Sequence, residues 1–132
     1  MTPRPLAALA AFALALGVAS PASAEREPIK NTTYTGSTDA AAVHTTATVK
    51  VGKSKAKVNK LVIDQTCAEG VHHVVFKNLK VVEGSFSRDV GGEGVAADYN
   101  LRGVWFTKHK VSLLLYIRKG PCDGTFDFFA KD

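Results

Sequence analysis

Val43-His-Thr-Thr-Ala-Thr-Val-Lys-Val51 is the stretch that decides the fold. Val43, Thr45, Ala47, Val49 and Val51 fall on one side of a two-residue repeat, and His44, Thr46, Thr48 and Lys50 on the other. Successive side chains of an extended strand point to opposite faces, so the pattern marks a strand with one buried row and one wet row. Most of the buried row is β-branched, which suits a pleated surface.

The same reading extends in both directions. Upstream, Tyr34–Thr38 is a short first strand or sheet edge, preceded by a polar tail over residues 25–33. Downstream, Gly52-Lys53-Ser54 turns the chain into Lys55–Ile63, where Ala56 and Val58 take one parity and Leu61 and Ile63 the other. A one-residue bulge near Asn59-Lys60 restores a single buried face. Cys67–Gly70 is a loop, Val71–Phe76 and Asn78–Val82 are strand-like, and Glu83-Gly84 turns into the short strand Ser85–Ser87. The glycines of Asp89–Gly94 mark a flexible connection.

Val95–Thr107 is the longest predicted strand, bent at Gly103, with Tyr99, Leu101 and Trp105 inward. After a turn at Lys108–Lys110, Val111, Leu113, Leu115 and Ile117 form another inward row. Gly120-Pro121 opens a turn that carries Cys122, and Thr125–Ala130 ends the domain with Phe126 and Phe128 inward. Seven or eight short strands, and no helical apolar period after residue 24, predict one all-β antiparallel domain over residues 34–132. A two-sheet β-sandwich is the expected arrangement and a barrel-like closure its alternative.

Residues 1–24 read differently. Arg4 is followed by the uncharged apolar run Leu6–Ala19, then by Ser20-Pro21 and the small-x-small sequence Ala22-Ser23-Ala24. This is the pattern of a secretory signal peptide cleaved after Ala24. The run is short of the roughly twenty residues that span a bilayer, which disfavours the membrane-anchor reading. The chain is therefore expected to be secreted, or to reside in the periplasm or cell envelope. Its two cysteines, Cys67 and Cys122, pair as one disulfide in an oxidising compartment, two free thiols being the alternative. With 17 Lys and Arg against 12 Asp and Glu, the balance is mildly basic. That suits anionic surfaces without demanding nucleic acid.

Tyr34-x-Gly36, Cys67-Ala-Glu-Gly70, Gly84-Ser-Phe86-Ser87, Leu101-Arg-Gly103, Cys122-Asp-Gly124 and Phe128-x-Ala130 occur in this order. In this the chain resembles a group of small exported bacterial β-domains with a Gly-x-Phe strand and a terminal Cys-x-Gly element. The resemblance implies a β-sandwich with a Cys67–Cys122 bridge and implies no reaction.

No motif in the sequence specifies catalysis. His72 and His73 are adjacent and so face opposite sides of a strand, while His44 and His109 lack ligand-spaced neighbours; no metal or other cofactor is expected. Gly91-Gly92-Glu93-Gly94 lacks the Lys-Ser/Thr and the helix of a phosphate loop. Asp98 and Asp127 are the carboxylates a small hydrolase would use, and nothing in the sequence brings them together.

Two surfaces remain as binding candidates. Lys50, Lys53, Lys55, Lys57 and Lys60 form an acid-free basic hairpin, with Lys53, Lys55 and Lys57 on one parity. It suits an anionic envelope polysaccharide, whereas the structural alternative is an edge strand charged against aggregation. Phe106, Leu114 and Tyr116 share the outward parity of neighbouring strands and offer a protein-partner surface, or a second buried layer. The expected function is a non-catalytic binding or structural module of the envelope.

Overall fold

The computed structural model describes residues 26–91, 98–119 and 121–132. The predicted signal peptide lies outside them, as do Val95–Ala97 of the predicted long strand, Gly92–Gly94 of the predicted Asp89–Gly94 connection, and Gly120. Eight strands make up about three quarters of the described chain: β1 Thr32–Ala40, β2 Val43–Val51, β3 Lys57–Cys67, β4 Gly70–Lys80, β5 Ser85–Val90, β6 Asp98–Thr107, β7 Lys110–Lys119 and β8 Gly124–Lys131.

They form one antiparallel sheet in the order β4-β3-β2-β1-β8-β7-β6-β5, not two. The arrangement is therefore the barrel-like one rather than the sandwich. Every strand lies beside its sequence neighbours, the first strand pairs with the last, and β4 and β5 come back alongside each other at a seam. A period-two pattern says which face of a strand is buried but not how many sheets share the core, and both arrangements bury one face per strand.

Closure has particular causes. The β4–β5 connection is a tight turn in which Val82 and Ser85 exchange backbone hydrogen bonds of 2.9 and 3.0 Å. Glu83 and Gly84 between them have φ of 51° and 74°, the left-handed pair that two-residue hairpins require. Beyond it the two strands splay, and the Arg88 side chain crosses the gap to donate to the Lys77 carbonyl at 3.3 Å. On the opposite side, β1 meets β8 where Gly36 faces the Phe129 carbonyl. A Cβ on Gly36 would stand 2.1 Å from that oxygen, so the close approach requires glycine.

The inward rows match the alternation in the sequence. Val43, Thr45, Ala47, Val49 and Val51 are all buried on β2, and Tyr99, Leu101 and Trp105 on β6. The barrel interior is filled by side chains, the largest being Trp105, Tyr34 and Phe126, as expected of an eight-stranded barrel, whose interior is just wide enough for side chains. Tyr34–Thr38 is not an edge: it belongs to β1, between β2 and β8. The Tyr34 hydroxyl donates to the Lys108 carbonyl at 2.6 Å and accepts from the Ile29 amide at 2.9 Å. Residues 26–31 are thereby held on one end of the barrel, where Asn31 also donates to the Gly52 carbonyl.

Cys67 and Cys122 form the disulfide at the other end, tying β3 to the β7–β8 connection across the barrel mouth. Just beneath it runs a row of inward polar side chains. Thr45, Gln65 and His72 are opposite one another on β2, β3 and β4. The Gln65 amide donates to Thr45 Oγ1 at 3.1 Å, and His72 Nδ1 lies 3.0 Å from Gln65 Oε1. Burial, with a smaller push from His73, lowers the His72 pKa.

Candidate functional site

A bulge and a left-handed residue decide which lysines share a face. On β3 the register against β2 shifts between Lys50 and Val51, which leaves Asn59 as the extra residue. Val58 and Leu61 are therefore both buried although three apart, and Lys57 and Lys60 both point outward. On β4, Asn78 has φ 56°, a left-handed conformation that asparagine tolerates. Phe76 and Leu79 are accordingly both inward, and Lys77 and Lys80 both outward.

Strand register then assembles these lysines. Lys50 lies opposite Lys60, and Lys60 opposite Lys77 on its other side, so one row crosses β2, β3 and β4. Lys57 opposite Lys80 makes a second row beside it. All five are exposed, and among the described residues none lies within ion-pair distance of a carboxylate. Lys50, Lys57 and Lys60 of the predicted hairpin thus share this face, and Lys77 and Lys80 join it. Lys53 and Lys55 do not: they sit in the β2–β3 loop, and Lys55 lies 3.7 Å from Glu27. The signal for the two added lysines was in the sequence, because Phe76 and Leu79 repeat the odd apolar spacing of Val58 and Leu61.

Like charges directly opposite on a sheet surface are destabilising. Guarding an edge does not account for Lys50 and Lys60, since β2 and β3 are paired on both sides. Of these three strands only β4 borders the seam. There a cleft of about 560 Å³ adjoins the lysine face through Lys80 and continues onto β5 and β6 through Arg88 and Arg102.

The aromatic strip is exposed rather than buried in a second layer. Phe106 is 61% exposed, Leu114 39% and Tyr116 43%, because a closed single sheet has only one inner face. Phe129 joins the strip, 6.2 Å from Phe106 between ring centres, and Lys110 Nζ lies 4.1 Å from the Phe129 ring centre. Arg102 and Asp127 flank Leu114 in one cross-strand row, so charges interrupt the apolar surface.

The other polar groups are mostly engaged in pairs. Asp98 accepts a hydrogen bond from Arg118 Nε at 2.8 Å, and this contact holds its carboxyl below the usual range. Asp127 is exposed on β8 opposite Leu114, whereas Asp98 is opposite Lys119, so the two carboxylates do not converge. His72 and His73 do face opposite sides, and His73 pairs with Asp64 outside the barrel. His44 pairs with Asp39 at 2.6 Å and His109 with Asp132 at 2.8 Å. Among the described residues no three His, Cys, Asp or Glu side chains gather as a metal site would need.

The chain matches no protein-family model, no curated protein and no solved structure. The geometry above is therefore what bears on function.

Proposed function

We propose that the protein is an exported, non-catalytic binding module that attaches to an anionic envelope polymer through the outer face of β2–β4. The observation that carries this reading is the pair of lysine rows, Lys50–Lys60–Lys77 and Lys57–Lys80, set side by side without carboxylates. A fold gains nothing in stability from lysines opposed across paired strands, whereas a linear polyanion laid along such a face releases counterions at each contact. Export is supported by the pattern of residues 1–24 and by the Cys67–Cys122 bridge, which persists best in an oxidising compartment.

A second reading has its own observation. The exposed rings of Phe106, Tyr116 and Phe129 with Leu114 suit a protein partner. Salt separates the two, since screening weakens ionic contacts and leaves apolar ones largely intact.

The test is retention of the protein on heparin and on purified cell envelope across a salt gradient, beside a variant carrying Lys57→Glu, Lys60→Glu and Lys77→Glu. Retention that fades with salt and is lost in the variant is the expected result. Equal behaviour of both proteins would remove the lysine face from the account and turn attention to the aromatic strip.

A further inference from the structure

The seam differs from the rest of the sheet in that its strands are joined by a turn and then diverge. Between Val82 and Ser85 the backbones are bonded; farther along, the crossing recorded among the described residues is the Arg88 side chain reaching Lys77. The cleft left between them, of about 560 Å³, falls in the range of small-ligand sites. Its rim carries three cations, Lys80, Arg88 and Arg102, and no carboxylate lines it. Asp89 stands 4.0 Å from Arg102, outside the lining. Arg88 is fixed by its bond to the Lys77 carbonyl, while the Arg102 side chain is 56% exposed and its pairing with Asp89 is long, at 4.0 Å.

Phe86 also lines the cleft but is only 4% exposed: its ring lies across Gly103, the residue opposite it on β6, and packs on Trp105 inside the barrel. The accessible apolar surface is that of Val82 and Val104, and Ser87 and Asn78 supply exposed polar groups. The two valines suit the C–H face of a sugar ring, and the guanidinium forks and the ammonium suit an oxyanion. Three cations exceed what one planar carboxylate engages, whereas a tetrahedral ester presents three oxygens.

We propose that this cleft binds one sugar unit bearing a tetrahedral oxyanion, a phosphate or sulfate ester, of the polymer held by the lysine face. The inference rests on that proposed function and gives it a specificity-determining subsite. Arg102, Arg88 and Lys80 take the ester oxygens, Lys80 also joining the subsite to the lysine rows, and Val82 and Val104 support the ring.

Amide NMR spectra of the protein titrated with glucose 6-phosphate, glucose 6-sulfate and glucose test it. Saturable shifts of Ser85, Ser87, Arg102 and Val104 with at least one ester and none with glucose are expected. Arg102→Ala, whose spectrum elsewhere should superimpose on the parent, is expected to weaken the ester about tenfold. Saturation by the phosphate, the sulfate or both identifies the ester. Absence of saturable cleft shifts with both esters overturns the proposal, as does ester binding unchanged by Arg102→Ala. Heparin retention of the same samples separates the two claims. Retention without ester binding refutes the subsite alone, and ester binding without retention refutes the lysine face alone.

Discussion

Lys60→Glu is expected to make the protein more stable. Lys60 lies between Lys50 on β2 and Lys77 on β4, directly opposite each. Reversing its charge turns two repulsive cross-strand pairs into two attractive ones. Cross-strand charge pairs are worth about 0.2–1 kcal/mol each on an exposed face, so the two together give about 1 kcal/mol. For a domain of this size that corresponds to a rise in Tm of about 4 °C. Lysine and glutamate are similarly disfavoured in strands, so propensity contributes little. Thermal unfolding followed by circular dichroism at low salt, and again at about 1 M salt where the screening length falls to about 3 Å, is the assay. The gain should be largest at low salt and mostly vanish at high salt, with Lys60→Gln intermediate. A lower Tm for Lys60→Glu at low salt, or the same rise at both salts, would refute the reasoning that these lysines oppose one another at a cost to the fold.

Other consequences follow from the core and the barrel mouth. Replacing Cys67 and Cys122 together by serine removes a link across 55 residues of sequence and is expected to cost about 4 kcal/mol. Thermal unfolding checks it, and an unchanged midpoint would show that the mouth is held by other contacts. Gly36→Ala forces a Cβ against the Phe129 carbonyl and is expected to destabilise by about 2–3 kcal/mol in urea unfolding; a neutral result would mean that β1 and β8 are not so closely apposed. His72 faces Gln65 and Tyr99 inside the barrel and has its pKa lowered by burial. The unfolded chain then binds its proton first, so this residue's contribution to stability is intact above the ordinary histidine value of 6.5 and is lost as pH falls from there through the folded pKa. An NMR titration of the His72 ring should give a midpoint below 6.5, and a midpoint at or above it would contradict the buried polar row.

The sequence carried the parts of this fold that are local. The alternation from Val43 to Val51 identified the inward row of β2, and the parity break between Val58 and Leu61 located the bulge at Asn59. Pairing partners were not legible in the same way. The contact between β1 and β8 joins the two ends of the described chain, and its trace in the sequence is the missing side chain at Gly36. Without that pairing, Tyr34–Thr38 reads as an edge and the rows of buried residues fit a sandwich as well as a barrel.

The candidate site was half legible for the same reason. Lys50, Lys57 and Lys60 are close in sequence, but Lys77 and Lys80 reach them only through the β3–β4 register. Lys53 and Lys55 continue the strand parity on paper, yet the chain turns at Gly52–Ala56 and takes them off the face. The seam cleft had no local signature, because Lys80, Arg88 and Arg102 come from three strands.

The most direct test is the salt dependence of heparin affinity, measured by equilibrium titration from about 50 to 200 mM salt. Counterion release at about 0.7 per contact gives a log–log slope of about −3.5 if Lys50, Lys57, Lys60, Lys77 and Lys80 all engage, a loss of affinity of about a hundredfold over that range. The variant with Lys57, Lys60 and Lys77 changed to glutamate is predicted to bind weakly, with a slope near zero. The same slope and affinity in both proteins would contradict the assignment of polyanion binding to the outer face of β2–β4.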